Sequence, residues 1–196
     1  MIFKNKYMLR SVLTILFLFF INYSNVIAQF RSTTWGMSSD KVKEVETIVT
    51  EIDGNLGERI LVSNSVINGL EALVAYYIIE DTLYKARYVI NEDYTNRNQF
   101  VDDYKSISAI LSTKYGYQSI YYDWSDELYK DDRSDYGFAV SLGHLKLITN
   151  FKDDTTEIFH LLEGNDYEIS HILEYRSKEY VRLEDALSNK KIMNDF

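Results

Sequence analysis

Alternation of apolar and polar residues is the clearest pattern in the first half of the chain. Between residues 58 and 92 it forms three runs, ILVSNSVI, LEALVAYYIIE and LYKARYVINE, and such alternation is typical of strands with one buried face. Asn68-Gly69 separates the first two runs and is the strongest hairpin signal in the chain, while Asp81-Thr82 separates the last two. The pattern therefore predicts a three-stranded antiparallel meander.

If both turns contain two residues, one face of this meander collects most of its apolar side chains. Ala75 then pairs with Val62 on one side and with Tyr88 on the other. We expect this face to be the core face, and the opposite face, which carries Lys85 and Arg87, to meet solvent or a partner. The predicted core residues are Ile60, Val62, Leu73, Ala75, Tyr77, Ile79, Tyr84, Ala86, Tyr88 and Ile90.

Three other segments follow the helical period. A short helix is predicted to begin after Ser38 or Ser39, whose hydroxyl can accept a hydrogen bond from a free N–H of the first turn. A longer helix with one apolar stripe is predicted from Phe100 onward and is expected to end at Gly116. A closing helix is predicted over residues 177–189.

The last third of the chain repeats the order of the first. The runs HLKLITNF, TEIFHLLE and DYEISHILEY predict a second meander with Gly164-Asn165 as a turn, and a strand QSIYYDW precedes it. The pattern predicts an α+β fold of antiparallel meanders with helices on one face, in which a helix–three strands–helix unit occurs twice. Residues 29–196 then form a single domain, or two related halves at 29–116 and 117–196.

The first 28 residues have the pattern of a secretory signal peptide. Lys4, Lys6 and Arg10 precede the apolar run VLTILFLFFI, and Val26-Ile27-Ala28 supplies a small-residue cleavage site. The apolar run is shorter than the roughly 20 residues that a membrane-spanning helix needs. We therefore expect export to the periplasm or the cell exterior, with no transmembrane segment after cleavage.

Composition narrows the classes of partner. The net charge is −9, and it becomes −12 without the first 28 residues, which contain three basic and no acidic side chains. An acidic chain of this kind argues against binding to nucleic acid or to an acidic lipid surface. There is no cysteine, so an exported form has no disulfide and depends on its core.

Trp35-Gly36-Met37-Ser38 is followed by an acidic residue and by Val and Glu at helical spacing. This motif resembles the N-terminal signature of a group of uncharacterised exported bacterial proteins, many of them lipoproteins. The resemblance covers nearly all of the mature chain and implies no particular activity. Its other motifs are Asp102-Asp103-Tyr104, Lys114-Tyr115-Gly116, Leu128-Tyr129-Lys130-Asp131-Asp132 and Ser141-Leu142-Gly143-His144-Leu145.

Gly-Met-Ser before a short helix and a meander is also similar to the small-lipoprotein fold of outer-membrane assembly factors. The doubled unit resembles beta-lactamase inhibitor protein-like modules, which are tandems of such units. Both groups bind proteins without catalysis, and the resemblance implies a binding role without identifying the partner. Because the chain lacks the cysteine of a lipobox, the resemblance does not extend to membrane tethering.

Two of the three histidines lie in the second meander. With Gly164-Asn165 as a two-residue turn, His160 pairs with Ile169. His171 then pairs with Ile158, so the two imidazoles are diagonal neighbours on one face. They are weak candidates for metal ligands or an acid–base pair. The alternative interpretation is a pair of half-buried histidines hydrogen-bonded within the core.

Residues 121 to 138 interleave aromatic and acidic side chains. Aromatic rings beside carboxylates can stack on sugars or anchor a protein interface. The acidic residues lack the alternating ligands and central glycine of an EF-hand loop, so they predict a solvated loop rather than a calcium site. The candidate binding residues are Tyr121, Tyr122, Trp124, Tyr129 and Tyr136.

These patterns lead to two hypotheses about function. The first is an exported, non-enzymatic binding module that recognises a protein or glycan in the cell envelope through its exposed sheet face and the aromatic-acidic segment. The second is an envelope hydrolase or metal-dependent enzyme that uses His160 and His171. The chain contains no local serine–histidine–aspartate signature and no glycine-rich phosphate loop, so we assign no catalytic residue, metal or cofactor.

Overall fold

An eight-stranded antiparallel sheet is the centre of the structure, a computed structural model that describes residues 29–194. The predicted α+β class with antiparallel meanders is confirmed, whereas the predicted signal peptide at residues 1–28 lies outside the described residues. The strand order is β1-β2-β3-β4-β8-β7-β6-β5. The strands are β1 (Thr50–Asp53), β2 (Arg59–Ile67), β3 (Leu70–Ile79), β4 (Thr82–Ile90), β5 (Tyr121–Trp124), β6 (Leu145–Lys152), β7 (Thr156–Asn165) and β8 (Glu168–Ser177).

Four α-helices belong to the described residues: α1 (Ser39–Val45), α2 (Asn98–Tyr115), α3 (Tyr136–Ser141) and α4 (Arg182–Asn194). The Ser38 hydroxyl accepts a hydrogen bond from the Lys41 N–H at 3.4 Å, which confirms the predicted N-cap of α1. Helix α2 ends before Gly116, whose φ of 89° is accessible to glycine at little cost. Helix α3 was not predicted, and α4 begins five residues later than expected.

The two halves of the sheet meet where β4 pairs with β8. Strands β1 to β4 come from residues 50–90, and strands β5 to β8 come from residues 121–177. The predicted repeat of helix–three strands–helix is not confirmed, because each half contains four strands. Strand β5, which the sequence placed between the copies, is an edge of the second half, and β1 forms the other edge.

The turn between β3 and β4 differs from the prediction. The turn residues are Glu80-Asp81, since Ile79 pairs with Thr82. Both turn residues have a positive φ, 49° and 56°, as a two-residue hairpin requires. A β-bulge follows, because the register of β3 against β4 shifts between Tyr77 and Ile78. Strand β4 is therefore displaced by one residue from the predicted register.

A displacement of one residue turns every side chain of a strand to the opposite face. Tyr76 pairs with Ala86, and Val74 pairs with Tyr88. The predicted core face is thus correct for Ala86, Tyr88 and Ile90 of β4 but wrong for most of β2 and β3. Ile79 and Tyr84, beside the β3–β4 turn, are buried as predicted. The predicted core residues that lie on the opposite face are Ile60, Val62, Leu73, Ala75 and Tyr77, and the buried residues in their place are Leu61, Val74, Tyr76 and Ile78.

One face of the sheet, called the covered face below, packs against the segment before α1 and against α2. The buried Phe30 ring lies 4.9 Å from the Tyr175 ring and 5.3 Å from the Tyr88 ring, measured between centroids. The half-buried Trp35 donates its Nε1–H to Thr156 Oγ1 at 2.9 Å, so it closes this core at an end of the sheet. The buried apolar residues of α2 are Val101, Tyr104, Ile107 and Leu111.

The turn between β7 and β8 differs from the prediction as well, and it lies further along the chain than predicted. Asn165 pairs with Glu168, so the turn is Asp166-Tyr167. Gly164 lies within β7, where a Cβ atom would stand 2.4 Å from the carbonyl oxygen of Val140 in α3. The glycine is therefore required by the close approach of α3 to the sheet rather than by the turn.

Candidate functional site

The face of the sheet opposite to α2, called the open face below, carries a continuous row of apolar side chains. Neighbouring members of the row lie directly opposite each other on adjacent strands, in the order β3, β4, β8, β7, β6 and β5. The row spans five strand spacings of about 4.8 Å, which is roughly 24 Å. Its members, called the apolar row, are Leu73, Val89, Ile172, Leu161, Ile148 and Tyr121.

The apolar row is accessible to solvent. Leu73, Val89 and Tyr121 expose 40%, 36% and 62% of their surface, and the other three side chains are half-buried. The row results from the register of β4, since the bulge places Val89 beside Leu73. Helix α4 reaches the open face at one end, where Glu184 forms an ion pair with Lys85, so the prediction that the helices pack on one face is wrong for α4.

A cluster of charged residues borders the row on one side and is called the basic border. Arg87 donates its Nε–H to Glu174 Oε2 at 2.7 Å, and Arg176 binds the other oxygen of the same carboxylate. Burial on its own would raise the pKa of Glu174, but the two guanidinium groups hold that pKa below its usual value. The guanidinium of Arg176 also lies 4.9 Å from the centre of the Phe159 ring.

The other side of the row carries more acidic side chains and is called the acidic border. Glu71 and Asp123 are exposed, and Glu163 forms an ion pair with Lys146 at 2.6 Å. Asp123 stands directly opposite Lys146 in the sheet. The open face therefore has an apolar centre between two borders of different charge.

The structure does not bring the five predicted binding residues together. Tyr121 lies on the open face, whereas Tyr122 and Trp124 pack against a separate group of buried residues that includes Val140 and Leu145. Both of these rings contact Tyr136, with centroids 5.8 Å and 5.2 Å apart. Tyr129 packs instead against Phe138, which lies in α3, and against His144, which follows α3. These four side chains are half-buried, so Tyr121 is the one member that belongs to an exposed surface.

His160 and His171 are diagonal neighbours on the covered face, as predicted. Their pairing differs from the prediction, because His160 faces Leu173 and His171 faces Leu162. The new register is four residues from the predicted one, and an even shift leaves each side chain on its original face. The Nε2 atoms of the two rings lie 2.9 Å apart.

Both imidazoles are buried beneath α2. His160 and His171 expose 0% and 2% of their surface. Tyr104 stacks on the His160 ring at 3.9 Å between centroids, and Ser108 Oγ lies 2.9 Å from His160 Nδ1. His171 Nδ1 has no hydrogen-bond partner among the described residues. The two rings form the inner part of a polar chain that begins at Ser108.

Burial keeps both histidines neutral. It lowers the pKa of His171 to about 3, and burial together with the neighbouring ring lowers the pKa of His160 well below 6.5. Within residues 29–194, no cluster of three or more potential ligands forms a candidate metal site. An acid–base or metal-binding role needs contact with a substrate or ion, and neither ring is accessible for it.

A cavity of about 750 Å³ lies beside the acidic border, away from the histidines. Its lining includes Lys146, Glu163 and Asp166 and also backbone of the β7–β8 hairpin. The cavity is open to solvent and contains the Lys146–Glu163 ion pair. Neither histidine lines it, so the structure gives the buried pair no connection to this space.

The prediction from sequence missed the apolar row except for Tyr121. One signal was present, because β7 is apolar on both faces, with Phe159 and Leu161 alternating with Ile158 and Leu162. A strand in an antiparallel sheet that meets water on one face normally shows polar residues there. Two apolar faces therefore indicate that the second face also has a role.

Comparison with known proteins adds no assignment: no family model, no curated protein and no solved structure matches this chain. The resemblance to exported bacterial proteins and to tandem binding modules stays a prediction. Within the described residues, no helix has both the length and the apolar content that a membrane span requires.

Proposed function

We propose that this chain is an exported, non-enzymatic binding module that recognises a protein partner in the cell envelope through the open face. The observation that carries the proposal is the apolar row, which crosses six adjacent strands in register. Contiguous exposed apolar surface of this kind is characteristic of interaction sites, because leaving it in water is unfavourable.

The shape of the face supports a protein rather than a small molecule as the partner. Small ligands are bound in concave sites that surround most of their surface, whereas the apolar row lies across the face of a sheet. A glycan receives less support, because four of the five candidate stacking residues, including Trp124 and Tyr136, are packed against each other or against α3. A protein surface can bury the whole row at once.

The size of the face indicates a transient complex. The row and its two borders cover roughly 24 Å by 20 Å, or about 500 Å² per partner in projection. Interfaces that bury less than about 1,200 Å² in total are typical of weak or transient complexes. The two halves of the sheet, which we propose to be related copies of one unit, each supply part of this surface.

The test places a photo-crosslinking amino acid at Leu161 in one variant and at Val89 in another, in cells that export the protein. The control variant carries the crosslinker at Ile110, which is 52% exposed on α2 and lies on the other side of the molecule. We expect the same protein to be captured from Leu161 and Val89 but not from Ile110, with identification by mass spectrometry. Equal capture from Ile110, or no capture from either row position, would contradict the proposal.

The same cells give a second readout. Leu161→Asp places a charge in the middle of the row, and it should abolish capture from the Val89 position. Because Leu161 is half-buried, circular dichroism of the purified variant checks that it is folded. Ile110→Asp is the matched control and should leave capture intact. Persistent capture with Leu161→Asp would show that the row is not the contact surface.

A further inference from the structure

The charges beside the apolar row are distributed unevenly, and this unevenness restricts what can bind there. On the basic border, two guanidinium groups share a single carboxylate, that of Glu174, which is 3% exposed. The side chains of Arg87 and Arg176 expose 30% and 35% of their surface. Lys85 beside them is paired with Glu184, and Glu157 lies opposite both Arg176 and Lys152. Four cations and three carboxylates therefore leave one positive charge in excess at the border, although the chain as a whole is acidic.

The guanidinium groups also retain free donors. An arginine side chain carries five N–H donors. Among the residues that the structure describes, Arg176 gives only its Nε–H to a protein acceptor, and Arg87 gives its Nε–H and one Nη2–H. The remaining donors stand at the edge of the apolar row, where a carboxylate of a partner can accept them.

The acidic border has the opposite excess. This border has three carboxylates, those of Glu71, Asp123 and Glu163. In the described part of the chain its one cation is Lys146, so two negative charges are in excess. Glu71 and Asp123 are exposed. A surface that covers the apolar row therefore meets an excess of positive charge on one side and an excess of negative charge on the other.

We infer that the partner presents an apolar strip of roughly 24 Å with carboxylates along the side that meets Arg87 and Arg176. This inference rests on the proposed function and specifies the chemistry of the partner at the same face. Carboxylates in this position complete the hydrogen bonding of the two guanidinium groups, whereas cations there meet a like charge beside a desolvated surface. The border thus fixes the orientation of the partner across the row.

The test uses the full exported chain with the crosslinker at Leu161 and the variant Arg87→Gln/Glu174→Gln/Arg176→Gln. This variant removes two cations and one anion but leaves amides that can hydrogen-bond each other, so no buried carboxylate is left unpaired. The control variant, Asp102→Asn/Lys105→Gln/Lys114→Gln, makes the same change in net charge on α2. Capture yield is measured at 50 and 300 mM salt.

We expect the open-face variant to lower the capture yield about fivefold or more at 50 mM salt, and the α2 control to leave it unchanged. Raising the salt to 300 mM should lower the yield of the unchanged chain and narrow the difference between the two chains, because exposed charges are screened. If the triple variant shows a lower melting temperature, Arg176→Gln alone is used, since it leaves the Arg87–Glu174 pair intact.

Three outcomes would overturn the inference. The first is a yield that the arginine variants do not change while Leu161→Asp abolishes capture from the Val89 position, and this outcome leaves the proposed function in place. The second is a captured peptide without carboxylates within reach of the basic border, as read from the crosslinked peptide by mass spectrometry. The third is a crosslinked product that consists of two copies of this chain.

Discussion

At the scale of single residues, the buried histidines show how burial decides a chemical role. An imidazole with a pKa near 6.5 can serve as an acid or base at neutral pH, but His160 and His171 lie beneath Tyr104 without access to solvent. They contribute a series of hydrogen bonds inside the core, from Ser108 through His160 to His171. This series exists only while both rings are neutral or share one proton. The arrangement makes the fold sensitive to acid.

The first prediction is a loss of stability below about pH 6.5. The folded pKa of both histidines is lowered, so the unfolded chain binds protons first, and stability present above pH 6.5 is lost as the pH falls. Each histidine contributes a slope of about 1.4 kcal/mol per pH unit. Urea denaturation at pH 7.5, 6.0 and 5.0 measures this dependence.

The matched comparison is between His160→Gln/His171→Gln and His144→Gln. We expect the double variant to lose most of the slope between pH 6.5 and 5.0, while His144→Gln retains it. The comparison uses the slope of the unfolding free energy against pH, so a general loss of stability in the double variant does not affect it. The unchanged chain and both variants have the same carboxylates, so the contribution of these groups cancels. An unchanged slope in the double variant would show that the pair does not bind protons on unfolding.

At the scale of elements, register decides which face of the sheet is the core. The Asn68-Gly69 turn was predicted correctly, and with it the pairing of β2 with β3. The bulge in β4 was not predictable from local turn signals, because Tyr84 fits either an extra residue or a regular strand position. Its consequence is that Val74 is buried and Leu73 is exposed, the reverse of the expectation.

The second prediction uses these two adjacent residues. Val74→Ser should lower the free energy of unfolding by about 2–3 kcal/mol, because it removes buried methyl groups and buries a hydroxyl. Leu73→Ser should change it by less than about 1 kcal/mol, since this side chain is 40% exposed on the open face. Both changes are read from chemical denaturation, and equal losses would contradict the register.

Glycine residues misled the sequence prediction for a physical reason. Gly164 sits beside Asn165 and resembles a turn signal, but its function is to let the backbone of β7 approach α3, and only the three-dimensional packing reveals that requirement. Helix α3 was missed for a related reason, because Gly137 within it reduces helix propensity. A Cβ at Gly137 would stand 2.3 Å from the backbone of Arg97.

The third prediction follows from the contact at Gly164. Gly164→Ala should destabilise the fold by about 2–3 kcal/mol, because the added carbon forces the β7 backbone away from α3. Gly57→Ala is the control: nothing lies within 4 Å of its Cβ, and only its φ of 87° adds strain, about 1 kcal/mol. Thermal unfolding should show the larger decrease for Gly164→Ala, and the opposite order would contradict the close approach.

At the scale of the whole molecule, the two halves share one core. The hydrophobic cluster beneath the segment before α1 contains Leu61 and Tyr76 from the first half and Ile158 and Leu173 from the second. Strands β4 and β8 join the halves by a continuous ladder. The doubled unit predicted from the sequence is not confirmed, and the pairing of the last strand of each half depends on contacts between residues 81 to 91 positions apart.

The fourth prediction is a single cooperative unfolding transition. Each half contains one tryptophan, Trp35 or Trp124. In Trp124→Phe the fluorescence reports the shared core around Trp35, whose Nε1–H binds Thr156 of the second half, and in Trp35→Phe it reports the surroundings of Trp124 in the second half. We expect the fluorescence midpoint in each variant to coincide with the midpoint from circular dichroism of the same variant, because the shared core unfolds as one unit. Separate transitions would show that the halves are independent domains.

The short edge strands have a further consequence for an apolar surface that must stay soluble. Strands β1 and β5 contain four residues each, although their neighbours β2 and β6 contain nine and eight. An incoming chain can extend a sheet only along the backbone that the edge presents, and short edges are a known protection against runaway strand addition. The exposed apolar row on the open face therefore coexists with sheet edges that offer little template for fibril growth.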